Sequence, residues 1–269
     1  MTPAFDHIAF NYDQEFTHSS IGALQRQKVW DYLDENLPEG PLSILELNCG
    51  TGEDAIHLAG KGHYVLATDI SEEMIKVAAS KTTRMGLEEN VSFLPCDLNK
   101  LEEADLRNNS FNLIFSDFGG LNCLDTIALK KLGKIVSRLL KPGGHFIGVI
   151  MPDFCVWESC YFLSKLSGKK AFRRAKNGPL IVNIHGQDVE TWYYSPKRIE
   201  ALFADDFQLT YLKPIGFFLP PSYLEVFFKK RQGLLNRLDA LEEKIKGHRF
   251  AARYADHFLI DLELKNNDK

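Results

Sequence analysis

Residues 45–55 read LELNCGTGEDA, and this stretch decides the fold. An apolar strand, LSILEL (42–47), runs into the glycine loop GTGEDA (50–55), and GEDAIHLAGKG (52–62) then reads as a helix ended by glycine. Strand, glycine turn and helix in that order form the phosphate or nucleoside corner of an α/β sheet. The glycines at Gly50 and Gly52 permit a tight turn and a close backbone approach to a ligand. Asn48 stands where a first glycine is expected. Asparagine tolerates left-handed backbone angles better than most residues, so it can serve the turn, or its amide can reach a ligand carboxylate or a substrate.

Outward from the loop, short apolar strands alternate with helices. YVLATD (64–69), VSFLPCD (91–97), FNLIFSD (111–117) and HFIGVIM (145–151) read as strands. SEEMIKVAASKTTRMG (71–86) is a helix with Ser71 as N-cap and acids in its first turn, and TIALKKLGKIVSRLL (126–140) is a helix closed by KPGG. Upstream, SIGALQRQKVWDYLDEN (20–36) is amphipathic, with Ile21, Leu24, Val29, Tyr32 and Leu33 on one face, and PEGP (38–41) breaks it. Five β units with helical crossovers imply a parallel sheet covered on both faces. After Met151 the rhythm changes. Residues 152–194 hold an aromatic, basic segment and two short strands, LIVNIH and VETWYYS, and read as an insertion. SPKRIEALFA (195–204) returns to helix, QLTYLKPIGFFL (208–219) is a strand running into a loop, LLNRLDALEEKIKG (234–247) is helical, and DHFLIDLEL (256–264) alternates like a final strand. Residues 217–249 read as a second insertion. The core then comprises residues 1–151 and 195–269.

Two carboxylates define the ligand. Asp69 ends the second strand, seventeen residues after Gly52, where it can accept both hydroxyls of a ribose. Glu46 ends the first strand. A dinucleotide would set a pyrophosphate over this loop, and a carboxylate 4–6 Å away would repel it by roughly 1–4 kcal/mol. S-adenosylmethionine has no phosphate and carries a sulfonium and an ammonium, which acids attract. Asp117, at the end of the fourth strand, can reach toward that cationic part.

ILELNCGTGEDAIHLA, VLATDISEEMIKVA, VSFLPCDLNKL, FNLIFSDFGGLNCL and LLKPGGHFIGVI resemble, in order and at normal spacings, the motifs of class I S-adenosylmethionine-dependent methyltransferases of the small-molecule type. FDHIAFNYD (5–13) resembles that family's N-terminal segment, whose tyrosine, here Tyr12, covers the cofactor. The resemblance is good over residues 5 to 151 and loose beyond. It implies a Rossmann-like, doubly wound, mostly parallel seven-stranded sheet of order 3-2-1-4-5-7-6, the last strand antiparallel. It also implies that Asp69 binds the ribose and that Ile70 and Met74 line the adenine. Asp97 and Leu98 would meet the adenine amino group and ring, and Ser116 and Asp117 would flank the methionine part. S-adenosylhomocysteine would be the product.

The acceptor is less legible. Methyl transfer from an activated donor mainly needs the nucleophile held in line, and a base only where the acceptor must lose a proton. Among eight histidines, His18 precedes the N-terminal helix in the cofactor-covering region and is the base candidate. His185 lies in the insertion and could face the pocket, while His57, His63, His145 and His257 read as surface or packing residues. FGGLNC (118–123) follows the fourth strand, where acceptors lie in this family, and Cys123 reads as a buried thiol rather than a nucleophile. Trp157, Tyr161, Phe162, Tyr193 and Tyr223 mark an aromatic lid or a small extra core. From Lys165 to Lys176 stand six basic residues, Arg173 and Arg174 among them, and no acid, which is a solvated face or a site for an anionic group. These features predict a small, partly apolar or aromatic acceptor that can bear an acidic group.

Bulk properties exclude other classes. A net charge of −4 gives no reason to expect nucleic acid or an anionic membrane surface, and no apolar run approaches a bilayer span. The N-terminus lacks the pattern of a signal peptide. Five scattered cysteines, never in a CxxC, read as reduced thiols in a cytoplasm with no metal site. A nicotinamide-dependent oxidoreductase is disfavoured by Glu46. A non-catalytic module that only binds the cofactor is disfavoured by an intact Gly50, Gly52 and Asp69, and base methylation by the lack of an Asn/Asp-Pro-Pro-aromatic motif after FNLIFSD.

Overall fold

The computed structural model describes residues 6, 9–13, 17–176, 178–184 and 186–266. His185 and parts of FDHIAFNYD lie outside them. The chain opens with α1 (Ala9–Tyr12) and α2 (Ser20–Asn36). Then follow β1 (Ser43–Leu47), α3 (Glu53–Gly60), β2 (Tyr64–Asp69), α4 (Glu72–Arg84), β3 (Val91–Pro95), β4 (Phe111–Ser116), α5 (Thr126–Leu139) and β5 (Leu140–Ile150). β3, β2, β1, β4 and β5 run parallel, because each crossover carries the chain back to the end of the sheet where the previous strand began. Beyond them lie α6 (Val156–Ser164), α7 (Gly168–Ala171), the hairpin β6 (Leu180–Ile184) and β7 (Gln187–Thr191), and α8 (Pro196–Phe203). β8 (Phe207–Ile215), α9 (Glu225–Phe228), α10 (Gln232–Ile245) and β9 (His257–Leu264) complete the chain.

β9 inserts antiparallel between β5 and β8, giving the seven-stranded order β3-β2-β1-β4-β5-β9-β8. With the separate β6–β7 hairpin left out, this is the 3-2-1-4-5-7-6 order that the resemblance implied. One boundary differs. The KPGG segment does not close α5 as a loop; β5 starts at Leu140 and carries it, with Gly143 at φ +71° and a register shift opposite Phe111 and Leu113. An irregular strand start of this kind has no apolar alternation to announce it.

Each face of the sheet has its own core. On one, Leu129, Leu132, Val136 and Leu139 of α5 pack with Phe146, Phe203 and Phe207. On the other, Val29, Tyr32 and Leu33 of α2 meet Ala55 and Leu58 of α3 over Ile44 and Phe115. Each buried Val, Leu, Ile or Phe side chain among these contributes about 1.5–3 kcal/mol. The buried stripe of α2 also contains Gln25 and Lys28. They are satisfied from the second addition to the core: Gln25 donates to the Pro220 carbonyl at 3.0 Å, and Lys28 pairs with Asp239 and Glu243 of α10 at 2.7 and 2.6 Å. Glu242 of α10 is buried and accepts the amides of Gly216, Phe217, Phe218 and Leu219 at 2.6–3.1 Å. A single carboxylate thus fixes the loop that leaves β8. No helix among the described residues is long and apolar enough to cross a membrane.

Candidate active site

The strand order reverses between β1 and β4, and ligands of open α/β sheets bind outside the strand ends at such a point. The turn after β1 is built for it. Asn48 adopts φ +53°, Gly50 +52° and Gly52 +79°. A Cβ on Gly52 would meet the Ala78 Cβ at 2.7 Å, so this glycine serves the close approach of α3 and α4. The Asn48 side chain is consumed internally: its amide donates to the Asp117 carbonyl at 2.9 Å and accepts from Ser116 Oγ at 2.6 Å. It staples the β1 turn to the end of β4. A Cβ on Gly120 would stand 2.0 Å from Asn48 Cγ, so that glycine makes room for the staple.

Asp69 is held by two amides, accepting from Gly50 N at 2.8 Å and Ser71 N at 2.9 Å. Both oxygens are thereby aimed, and each keeps a lone pair for a further donor. Around the turn lie three more carboxylates, Glu46, Asp54 and Asp117, all buried. Burial, with Asp54 next, holds the Glu46 and Asp117 carboxyls well above the usual carboxylate range. Arg26 lowers both; it pairs with Asp54 and lies 3.8 Å from Asp117 Oδ2. Trp30 also donates to Asp54, at 2.7 Å. Glu46 Oε2 and Asp117 Oδ2 are buried without a hydrogen-bond partner among the described residues. Three buried carboxylates, Glu46, Asp54 and Asp117, share one guanidinium, and two of them have an orphaned oxygen, which fits a cationic ligand and disfavours a pyrophosphate.

Two spaces meet here. A cavity of about 550 Å³ is lined by Tyr12, Asn48, Gly50, Asp69 and Met74 at one end. Its other end is lined by Arg173, Arg174, Val182, Val189, Tyr193 and Tyr223. A recess of about 30 Å³, the size of an ammonium or a water, shares Tyr12, Arg26, Asn48, Gly50 and Phe118 with it and is walled by Glu53, Asp54 and Asp117. Glu46 lines neither space, so its charge acts from behind the turn. Over the cavity, Asp13 ties the N-terminal segment down by accepting from Thr51 Oγ1 at 2.5 Å and from Lys81 at 2.8 Å. Ile70 is half exposed at the end of β2. Asp97 caps the turn that begins at Leu98, accepting from Asn99 N at 2.9 Å. These residues lie beside the cavity at the ends of β2 and β3 and do not line it.

Several acceptor-side expectations shift. His18 is exposed and outside the cavity, because the turn before α2 directs Thr17 inward instead. Trp157 packs on Phe228 with ring centroids 6.0 Å apart and donates to the Phe218 carbonyl at 3.2 Å, so it is part of a satellite core. Tyr161 lies outside the lining, beside Tyr223 at 5.8 Å. Arg173, Tyr193 and Tyr223 do line the cavity. Cys123 faces the cavity rather than the core, and its surroundings push the thiol upward, against a thiolate nucleophile.

Other residues gave no motif signal. The Glu158 carboxylate binds Arg173 Nε at 2.7 Å and Arg174 Nε at 3.1 Å, and Arg174 also reaches Asp256 Oδ1 at 2.9 Å. His257 opens β9, lines the cavity and meets Phe118 edge-on at 5.1 Å. Its Nδ1 has no hydrogen bond among the described residues and lies 3.4 Å from Asp256 Oδ2. Phe118 itself is held at φ +30°, a strained angle for an aromatic residue. A histidine at the first position of an alternating strand reads as packing until the neighbouring elements are placed.

Comparison with known proteins agrees with this geometry. A family profile described as "Methyltransferase domain" matches residues 44–144. A demethylmenaquinone methyltransferase of Bacteroides fragilis is 30% identical over 220 residues, spanning 79% of this chain and 82% of that protein. An uncharacterized protein of Methanocaldococcus jannaschii is 27% identical over 239 residues, spanning 83% and 85%. Among solved structures, an S-adenosylmethionine-dependent methyltransferase of Methanosarcina mazei superposes with a TM-score of 0.59 at 19% identity, covering 86% of this chain and 96% of that one. The chain belongs to the class I S-adenosylmethionine-dependent methyltransferases, and its cofactor is S-adenosylmethionine.

Proposed function

We propose that this enzyme methylates a small, partly apolar ring compound that enters uncharged. The observation that carries the reading is the acceptor end of the cavity. Val182, Val189, Tyr193 and Tyr223 give it apolar walls, and its two guanidiniums are already matched by Glu158 and Asp256. A free carboxylate or phosphate on the acceptor would have to compete with Glu158 and Asp256 for these guanidiniums. The Bacteroides fragilis relative is named for demethylmenaquinone, a quinone acceptor, which supports the same class.

When bound, S-adenosylmethionine supplies a methyl group already activated on a sulfonium. The chain's residues hold and shield it. Asp69 takes the ribose hydroxyls, Met74 and the strand-end residues Ile70, Asp97 and Leu98 border the adenine, and Asp117 and Asp54 receive the ammonium in the recess. Glu46 adds negative potential from behind, and Tyr12 covers the site. Residues 152–194 and 217–249 act as the lid that excludes water. Where the acceptor hydroxyl or ring carbon must lose a proton, His257 takes it, positioned by Asp256.

The test is transfer of a labelled methyl group from S-adenosylmethionine to a panel of neutral phenols and quinols, aromatic carboxylates and transfer RNA. The expected result is labelling of the neutral ring compounds, lost on His257→Ala. Labelling confined to the carboxylates or to RNA would overturn the reading.

A further inference from the structure

The additions to the core carry an exposed surface that the methyl-transfer site does not use. Leu166 and Val226 are 96% and 88% exposed, and Leu163, Phe172 and Phe227 are about half exposed beside them in sequence. Leu166 holds φ +53°, a conformation that favours glycine, at the turn ending α6. A leucine there is unfavourable twice, in its backbone angle and in its contact with water. Exposed basic side chains interleave with these residues: Lys165, Lys169 and Lys170 in one segment, Lys229, Lys230 and Arg231 in the other.

The two segments form one face. Tyr161 of α6 lies 5.8 Å from Tyr223, just before α9, and Trp157 meets Phe228 at 6.0 Å. Lys165 stands over the Tyr161 ring at 4.4 Å and Arg231 over Phe227 at 3.8 Å. Residues 159–187 and 226–238 contain no acid, so all 36 acidic residues lie elsewhere. Three of the four bordering acids are engaged away from these side chains: Glu225 accepts the Ser20 and Ile21 amides at 3.1 and 3.0 Å, Glu158 holds both arginines and Asp239 pairs with Lys28, while Asp188 is exposed beside the turn of the β6–β7 hairpin. No ion pair among the described residues uses the six basic side chains named above. A net charge of −4 conceals this segregation. Tyr223 and Arg173 lie in or beside these segments and also line the cavity, so the face borders the cavity.

We infer that this face docks the enzyme on an anionic lipid bilayer, with the cavity mouth toward the membrane. Aliphatic side chains at Leu166 and Val226 enter the headgroup boundary while the flanking lysines and Arg231 meet the anionic headgroups. A nucleic acid would also attract the basic residues, but it offers nothing to two protruding aliphatic side chains. The docking does not depend on the identity of the acceptor, and its test needs none.

The experiment is co-sedimentation of the full chain with vesicles of about one-third phosphatidylglycerol in phosphatidylcholine, beside pure phosphatidylcholine vesicles. Two variants are compared, Leu166→Glu with Val226→Glu, and Lys229→Gln with Lys230→Gln and Arg231→Gln. Binding of S-adenosylhomocysteine confirms that each is folded. The expected result is partitioning roughly tenfold stronger on the anionic vesicles, weakened by salt, with each variant losing about tenfold. Absence of binding to anionic vesicles, or both variants binding like the parent, would overturn the inference. So would tight binding to single-stranded RNA that the charge variant loses and the glutamate variant keeps, which would assign the face to nucleic acid.

Discussion

Asp117→Asn tests how the site recognises its cofactor. Asp117 Oδ2 is buried, has no hydrogen-bond partner among the described residues, and walls the ammonium-sized recess. Arg26 shows how near a cation comes to it, at 3.8 Å. A second cation at such a distance gains about 4 kcal/mol at an effective dielectric constant of about 20. Part of this is offset because burial, with Asp54 next, raises the free carboxyl and disfavours its ionised form. The substitution should therefore weaken both S-adenosylmethionine and S-adenosylhomocysteine by about 2–4 kcal/mol, or roughly 30- to 1,000-fold. The sign of the pH effects follows. With the folded carboxyl raised, its contribution to stability is full below the ordinary carboxylate range and lost as pH rises through the raised value. The asparagine variant lacks that loss, so its melting temperature relative to the parent should climb as pH rises above the ordinary carboxylate range. A cationic ligand favours the ionised form, so binding to the parent should release protons and tighten with pH over the same window. Calorimetric titration in two buffers of different ionisation enthalpy, with a thermal melt at each pH, measures all of this. A variant that binds S-adenosylhomocysteine like the parent, with no proton release in either, would refute the reasoning.

Three further outcomes are expected. Asn48→Gly keeps the left-handed angle but removes the staple to Ser116 and Asp117, so unfolding should fall by about 1–3 kcal/mol, read by denaturant melts, with weaker cofactor binding. Unchanged stability and affinity would show the asparagine to be a mere turn residue. Gly120→Ala places its Cβ on the Asn48 amide, and cofactor binding should drop at least as far as in Asn48→Gly. Glu242→Gln should cost about 2–4 kcal/mol, since an amide cannot accept from four backbone N–H groups as a carboxylate does; hydrogen exchange at residues 216–219 should quicken first.

The sheet was legible because its cues are local. Apolar runs, caps such as Ser71, and the Gly50–Gly52 turn each act within a few residues of themselves. Asp69 was legible for the same reason, since a strand end dictates where its carboxylate lies. Asn48 was harder, because its partners, Ser116 and Asp117 at the end of β4, lie 68 and 69 residues away. Trp157 and His257 exchanged roles for a related reason. An aromatic residue in a polar insertion resembles a ligand contact until α9 packs on it, and a strand-initial histidine resembles packing until the chain around it opens a cavity. Net charge misled through summation: acids elsewhere cancel the basic residues of the additions and hide two basic segments, 159–187 and 226–238, that contain no acid.

The most direct test of the central claim is calorimetric titration of the purified chain with S-adenosylmethionine and S-adenosylhomocysteine, with a reduced nicotinamide dinucleotide as control, repeated on Asp69→Ala. The account expects tight binding of both adenosyl compounds, marked weakening on Asp69→Ala, and no binding of the dinucleotide. Binding of the dinucleotide in their place would contradict it, because the carboxylates around the β1 turn would then tolerate a pyrophosphate.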